Sequence, residues 1–140
     1  MRKYLDTKSL KRSSLEKNQR IHCQIKNFVK TGNRVEDVSE QSLEKLREKF
    51  PMLKIREIAG GGLIIKSNGD TWSLENEGWY VVTYHRGWGK RFGKYCEQWH
   101  LQGVFQDFYF ACAMIVSHDA YKMTGRGYSF SKIYELAYQN

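Results

Sequence analysis

Apolar and polar residues in the first third of the chain repeat with the period of an amphipathic helix. The motif S-x-x-E at Ser13–Glu16 forms a capping box, which predicts that a helix begins there. The helix should run to about Lys30 and end near Gly32. Its apolar side consists of Leu15, Ile21, His22, Ile25, Phe28 and Val29. Its outer face carries Lys17, Arg20, Asn27 and Lys30.

A second, shorter helix is predicted after a polar segment. Ser39 is placed as an N-cap, with Val38 and Leu43 at the two positions of a hydrophobic staple. The helix should end at or before Phe50, because a proline disfavours helical backbone in the residue before it. Two successive helices could form a DNA-reading helix-turn-helix. The connection between them is long for a tight turn and contains two acids, which favours ordinary helix packing.

From Leu53 onward the pattern changes to a period of two, which predicts β-strands. Asn68-Gly69 between two apolar runs is a strong hairpin signal, since both residues tolerate positive φ. Gly60–Gly62 and Glu75–Gly78 supply the other turns. The predicted strands are Leu53–Ile58, Leu63–Ser67, Asp70–Leu74 and Trp79–Tyr84. They should form an antiparallel meander.

The remainder of the chain has helical spacing. Apolar residues recur at Leu101, Val104, Phe105, Phe108, Cys112 and Ile115. We expect one long or two shorter helices from about Tyr95 to Lys122, with a kink at Gly103. The stretch 108–116 is apolar on all sides, so it is either a buried helix or a strand, and its length favours a helix. Phe130–Tyr138 should form a short final helix.

These elements predict a single α+β domain over residues 13–140. It combines two N-terminal helices, a three- to four-stranded antiparallel β-meander and a long hydrophobic C-terminal helix packed on the sheet. Residues 1–12 are polar and basic without a sustained period, which predicts a flexible basic arm. A chain of 140 residues is the size of one domain, and a 41% hydrophobic content is enough for one core.

Targeting and redox signals favour the cytoplasm. The longest apolar run, residues 108–116, is too short to span a membrane, so no membrane partner is expected. The N-terminus lacks the apolar run of a secretory signal. Cys23, Cys96 and Cys112 are an odd number without C-x-x-C spacing, which argues against a disulfide framework and a zinc ribbon.

The positive charge is concentrated near the N-terminus. The formal net charge is +8, and residues 1–34 hold ten of the 23 Lys and Arg but only two of the 15 acids. The rest of the chain, with thirteen residues of each sign, is neutral. Such asymmetry is typical of an arm or helix that contacts a polyanion, although a charged helix can also serve solubility alone.

A second basic segment lies at Arg86–Tyr95. Its cations are Arg86, Lys90, Arg91 and Lys94, interleaved with Trp88, Phe92, Tyr95 and three glycines. Cations neutralise phosphates and flat rings stack on unpaired bases, so a loop of this composition suits single-stranded nucleic acid. The alternative is a connecting loop whose rings enter the core.

The charge pattern therefore predicts a small, non-catalytic protein that binds RNA, DNA or a nucleoprotein without a cofactor. The arm and first helix should contact phosphates, and the 86–95 segment should contact phosphates and bases. The predicted binding residues are Lys11, Arg12, Lys17, Arg20, Arg86, Trp88, Lys90, Arg91 and Lys94. Steep weakening by salt would distinguish this binding from an aromatic protein contact.

A protein-interaction module is the competing class. It would be an inhibitor of a nucleic-acid enzyme, of the anti-defence type that phages and mobile elements encode, such as an anti-CRISPR-like protein. Trp72, Trp79 and Trp88 would be its anchors, since Trp dominates interface hot spots.

Two chemical alternatives rest on histidines. A metal-independent ribonuclease could draw on His85, His100 and His118-Asp119 as general acids and bases. Cys96 and His100 at i, i+4 could ligate a metal if both lay on a helix, with His85 and His118 as the plausible further ligands. No complete motif supports either alternative, so neither catalytic nor metal-binding residues are predicted.

Overall fold

Within residues 12–91 and 94–139, which the computed structural model describes, the chain forms four helices and five strands. Side chains are described for residues 15–86 and 98–139. The helices are α1 (Arg12–Thr31), α2 (Glu40–Lys49), α3 (Phe108–Thr124) and α4 (Phe130–Tyr138). The strands are β1 (Lys54–Ile58), β2 (Gly62–Ser67), β3 (Asp70–Asn76), β4 (Val81–Arg91) and β5 (Lys94–Phe105). The chain is an α+β protein.

Helix α2 begins at its predicted cap, whereas the predicted N-cap of the first helix, Ser13, lies inside α1, which includes Arg12. Ser39 caps α2: its hydroxyl accepts a hydrogen bond from the backbone N–H of Ser42 at 3.1 Å. The hydroxyl of Ser42 in turn accepts from the backbone N–H of Ser39 at 2.7 Å. α2 ends one residue before Phe50, which is buried. Of the predicted arm, only Arg12 falls within the described residues, and it begins α1.

All five strands form one antiparallel sheet in chain order, β1-β2-β3-β4-β5. The turn between β2 and β3 has φ 48° at Asn68 and 82° at Gly69, the left-handed conformation that a type I′ turn requires. Gly60 and Gly61, also at positive φ, turn the chain between β1 and β2. The predicted meander is present, with five strands in place of three or four.

The strand β5 corrects the prediction of a helix from about Tyr95. Two consecutive residues of β4 pair with residues that are not consecutive in β5: Thr83 with Gly103, and Tyr84 with Leu101. One residue of β5 is therefore extra, which is a β-bulge. The bulge brings Leu101 and Val104, three positions apart, into the same hydrophobic cluster. The helical spacing at this point marks a bulged strand, and Gly103 lies in that strand rather than at a helix kink.

Successive residues of β4 face opposite sides of the sheet, and each side has its own hydrophobic cluster. Val81 belongs to the first cluster, which the sheet forms with α2, α3 and α4. Val82 belongs to the second cluster, which the sheet forms with α1. The buried residues of the second cluster are Ile21, Val82, Tyr84 and Val104. The sheet therefore has α1 on one face and the other three helices on the opposite face.

The predicted hydrophobic C-terminal helix is α3, and it packs on the sheet. Asp107 caps it by accepting a hydrogen bond from the backbone N–H of Phe110 at 2.8 Å. Gly125, at φ 80°, ends it, and the bounds of α4 match the predicted final helix. Among the described helices, none is long and apolar enough to cross a membrane.

Candidate functional site

The two basic segments lie on elements that pack against each other. The predicted binding residues are distributed as Arg12, Lys17 and Arg20 on α1, Arg86, Trp88, Lys90 and Arg91 on β4, and Lys94 on β5. Lys11 lies outside the described residues. Helix α1 contacts β5 directly, so both segments belong to one side of the molecule. We call residues 12–20 of α1 together with residues 86–100 of β4 and β5 the basic face.

The segment Arg86–Tyr95 is a hairpin, and its prediction as a loop was wrong. β4 and β5 remain paired as far as Arg91 opposite Lys94, which leaves residues 92 and 93 between the strands. Glycine-rich composition usually marks a turn. Here glycine occupies every second position of Arg86-Gly-Trp-Gly-Lys90, which is the two-residue period of a strand.

The second hydrophobic cluster holds α1 against the hairpin. Ile21 of α1 is 5% exposed and packs with Tyr84 of β4. Trp99 and Leu101 of β5 cover the same cluster from the hairpin side. Burial of these side chains, together with Ile25 and Phe28 of α1, fixes the position of α1 relative to the two strands.

Charges on α1 and β5 are close enough to influence each other. Lys17 is partly buried, and burial lowers its pKa, an effect that the charge of Arg20 increases. Burial also lowers the pKa of His100, and the charges of His85 and Lys17 lower it further. The amino group of Lys17 therefore lies near β5, at the side of the hairpin.

Arg86 is held in place by an aromatic ring of the neighbouring strand. Its guanidinium carbon lies 5.2 Å from the ring centroid of Trp99, its cross-strand partner. This is a cation–π distance. The side chain of Arg86 is half-buried, so part of its conformational entropy is already lost in the free protein.

A second group of polar residues lies on the opposite face of the sheet, under α3. We call Ser67, Asp70, His85, His118, Asp119 and Lys122 the polar cluster. Asp70 lies 3.1 Å from Nε2 of His85 and accepts a hydrogen bond from Nζ of Lys122 at 2.6 Å. The hydroxyl of Ser67 donates to Asp119. The rings of His85 and His118 have centroids 5.3 Å apart.

Burial and opposite charges compete within the polar cluster. Burial acts to raise the pKa of Asp70, but the hydrogen bonds and charges of Lys122 and His85 outweigh it and lower that pKa. For His118, burial lowers the pKa and the charge of His85 adds to the effect, against the opposing charges of Asp70 and Asp119. The cluster therefore favours an ionised Asp70 and a neutral imidazole at His118.

Sequence reasoning identified only part of the polar cluster. His85 and His118-Asp119 were candidates for acid–base chemistry, and the structure brings them together. In the sequence Asp70 is marked only as the residue after a hairpin turn, and its partner Lys122 lies 52 positions further along the chain. No local pattern connects these residues, because they meet only when α3 folds back over β3 and β4.

The helix on which Cys96 and His100 could have formed a metal ligand pair is absent. Both residues lie on β5, where positions four apart are separated by about 13 Å at roughly 3.3 Å per residue. One turn of helix would have brought them close, but that helix is absent. His100 instead pairs with His85 across the two strands.

Two of the three predicted aromatic anchors, Trp72 and Trp79, have described side chains. Trp72 is 1% exposed and packs in the first hydrophobic cluster, so it is a core residue and not an interface anchor. Trp79 is half-buried, with the guanidinium carbon of Arg34 5.2 Å from its ring centroid. The side chain of Trp88 lies outside the described part of the structure.

Exposed aromatic side chains surround a groove that the sequence did not reveal. The groove has a volume of about 1090 Å³ and lies between the end of α1, the segment 32–38, and helices α3 and α4. Phe130 is 68% exposed, and Tyr134 and Tyr138 are each 42% exposed. The ring centroids of Phe130 and Tyr134 are 5.0 Å apart, and those of Tyr134 and Tyr138 are 5.4 Å apart. We call this feature the aromatic groove.

Comparison of the chain with protein-family models, with curated proteins and with solved structures gave no match. Function is therefore inferred from the geometry and charge of these sites alone.

Proposed function

We propose that the protein binds nucleic acid through the basic face and does so without catalysing a reaction. The observation that supports this proposal is the packing of α1 on the β4–β5 pair. It joins the two basic segments of the sequence, which are more than fifty residues apart, into one surface. A continuous cationic surface is the electrostatic signature of a phosphate-binding protein.

The basic face suits a single strand better than a rigid duplex groove. Arg86, Trp88 and Lys90 occupy every second position of the extended strand β4, so cations and an aromatic residue follow one another along it. Phosphates of a single strand can follow the cations while its bases stack on aromatic rings, at about 1–3 kcal/mol per stacked base. Arg86, oriented by Trp99, is preorganised for one such phosphate.

We also propose a cellular compartment and a partner for the protein. A reducing compartment such as the cytoplasm suits a chain whose three cysteines lack the spacing of a disulfide framework. The bound partner is free RNA or DNA, or nucleic acid within a nucleoprotein. Binding of this kind needs no cofactor, because Lys and Arg supply the charge.

Fluorescence anisotropy of labelled single-stranded RNA and of duplex DNA, titrated at several salt concentrations, tests this proposal. We expect micromolar or tighter binding to the single strand and a steep loss of affinity with salt. Replacing Arg86→Ala, Lys90→Ala and Arg91→Ala together should reduce the salt slope by about two, since each lost phosphate contact removes about 0.7.

The matched control removes three exposed cations on the side of the sheet opposite α1, one each from α2, α4 and the segment between α3 and α4: Lys45→Ala, Lys132→Ala and Arg126→Ala. It changes the net charge equally and should leave the slope almost unchanged. Circular dichroism checks that both triple variants are folded. If both lower the salt slope equally, binding depends on net charge and not on the basic face. Absence of binding at low salt would refute the proposal. Cleavage of the labelled nucleic acid would show that the protein is an enzyme.

The aromatic groove favours a second candidate function, an inhibitor that docks on a nucleic-acid enzyme. Its exposed rings are of the type that anchors protein interfaces. Of the charged side chains described in its lining, Glu36, Asp37 and Asp107 are acids and only Arg34 is a base. An enzyme that binds nucleic acid presents a basic surface, which such an acidic rim complements.

A nuclease assay separates this candidate from the first. Cleavage of labelled DNA by a purified RNA-guided nuclease should fall when the protein is added, and Phe130→Ala with Tyr134→Ala should restore cleavage. Inhibition that depends on Arg86, Lys90 and Arg91 instead would assign the effect to the basic face.

A further inference from the structure

We propose that the polar cluster contains a binding site for a divalent transition-metal ion of the Zn²⁺ type, formed by Asp70, His118 and Asp119. The site lies on the face of the sheet opposite α1, so it is independent of the proposed nucleic-acid binding.

The three residues bring suitable ligand atoms together. Each offers one atom, and these atoms all lie within 4.8 Å of one another. Ligands of a tetrahedral Zn²⁺ ion stand about 2.0–2.2 Å from the metal, and therefore about 3.4 Å apart. Metal binding would therefore draw these atoms closer together, through movement of the side chains of His118 and Asp119 on α3 and of Asp70 on β3.

Unsatisfied polar atoms give a second, independent indication of a ligand. Nδ1 of His118 and Oδ1 of Asp119 are buried and have no hydrogen-bond partner among the described residues. Buried polar atoms are normally paired, so each unpaired one calls for an explanation. A metal ion bound between these side chains would satisfy both atoms.

The other members of the polar cluster are arranged as supporting residues. Ser67 donates a hydrogen bond to Asp119, and His85 lies 3.1 Å from Asp70. Contacts of this kind orient ligand side chains in metal sites and are important for affinity. The buried ring of Trp72 packs against both imidazoles, with its centroid 4.4 Å from that of His85 and 4.9 Å from that of His118.

The chemistry of the ligand set selects the ion. One imidazole nitrogen with two carboxylates suits Zn²⁺ and related first-row ions. Ca²⁺ prefers six to eight oxygen ligands, and Mg²⁺ is usually held by carboxylates and water. Three protein ligands also leave a coordination position for water or for an oxygen of a substrate.

Lys122 competes with the metal ion for Asp70. Its ammonium group lies 2.6 Å from Oδ2 of Asp70, and its side chain is 38% exposed. Metal binding requires this ammonium group to leave the carboxylate for solvent. Removing the charge of Lys122 should therefore increase metal affinity, which is the opposite of what a damaged site would do.

Titration of the full chain with Zn²⁺ in competition with a chelating dye tests the site. We expect one equivalent of Zn²⁺ to bind, with affinity at least about tenfold lower in His118→Gln and in Asp119→Asn, since even residues that only support metal ligands contribute that much. Lys122→Gln should bind more tightly than the natural chain by about threefold or more, since its positive charge is removed beside the ion. Far-ultraviolet circular dichroism confirms that each variant is folded.

The control variant, His22→Gln with Cys23→Ser, removes two exposed side chains of α1 that could bind Zn²⁺ at the surface. Zn²⁺ binding that persists in this control and falls in His118→Gln and Asp119→Asn supports the site. Binding lost in the control, or unchanged in His118→Gln and Asp119→Asn, overturns it. Binding that Lys122→Gln fails to strengthen overturns the assignment of Asp70 as a ligand.

Discussion

The carboxylate of Asp107 joins two helices through its two oxygen atoms. Oδ1 accepts a hydrogen bond from the backbone N–H of Phe110 at 2.8 Å and so caps α3. Oδ2 accepts a hydrogen bond from the hydroxyl of Tyr138, the last residue of α4, at 2.8 Å. Burial raises the pKa of Tyr138, and the hydrogen bond to Asp107 and its negative charge raise it further.

The raised pKa of Tyr138 predicts a loss of stability in alkali. The folded-state pKa lies above the unfolded value of about 10, so the contribution of the hydroxyl is complete below pH 10 and is lost as the pH rises beyond it. Tyr138→Phe should therefore be less stable than the natural chain at pH 8, by roughly 0.5–1.5 kcal/mol. That difference should shrink at pH 11, by up to about 1 kcal/mol because exposure screens the effect.

Urea unfolding of both chains at pH 8 and pH 11 measures the two differences. Other tyrosines and the lysines titrate alike in both chains and cancel in the comparison. A stability difference that is the same at both pH values would show that Tyr138 does not ionise more easily after unfolding.

At the scale of single elements, α1 depends on few contacts. Ile21 is the one buried residue among the described side chains of α1, while Ile25 and Phe28 are half-buried. The helix is 20 residues long, but most of its surface faces solvent. Its position on the sheet therefore rests mainly on a short apolar stripe.

Truncation of Ile21 should detach α1 from the sheet. Ile21→Ala is expected to lower the free energy of unfolding by about 2–4 kcal/mol, through lost burial and the cavity left behind. Val29→Ala on the same helix, where the side chain is 49% exposed, should change it by less than about 0.5 kcal/mol. Urea denaturation measures both values, and similar losses in the two variants would contradict this account.

Elements with local signals were predictable from the sequence, whereas those defined by pairing were not. Ser39, Asn68 and the apolar period of 130–138 marked α2, a hairpin and α4 correctly, because caps, turns and periodicity act within a few residues. The bulge in β5 gave its apolar residues a helix-like spacing, since one extra residue turns the strand period of two into a spacing of three. The polar cluster needs the final sheet order, so no single segment contains it.

At the scale of the whole molecule, the described residues form two hydrophobic clusters on opposite faces of one sheet. The first includes twenty buried residues, from the sheet, from α2, α3 and α4 and from the segments on either side of α2, and the second includes four. Regions with few buried apolar contacts open more easily than the rest of a protein. The two faces of the sheet should therefore differ in local stability.

Hydrogen exchange detected by mass spectrometry should reveal this difference. Amides of α1 are expected to exchange by a local opening, faster than those of β2, β3 and α3. Adding single-stranded nucleic acid at low salt should slow hydrogen exchange in α1 if the basic face binds it. Equal protection of α1 and β3 in the free protein would mean that the molecule opens only as a unit.

The packing of α1 on β5 also affects the order in which the protein can assemble during synthesis. Helix α1 ends at Thr31, but the last strand that it covers ends at Phe105. A chain made from its N-terminus presents the basic helix, with its apolar stripe uncovered, long before that strand leaves the ribosome. Docking of α1 is therefore a late event in translation, and the basic face assembles only after the sheet is complete.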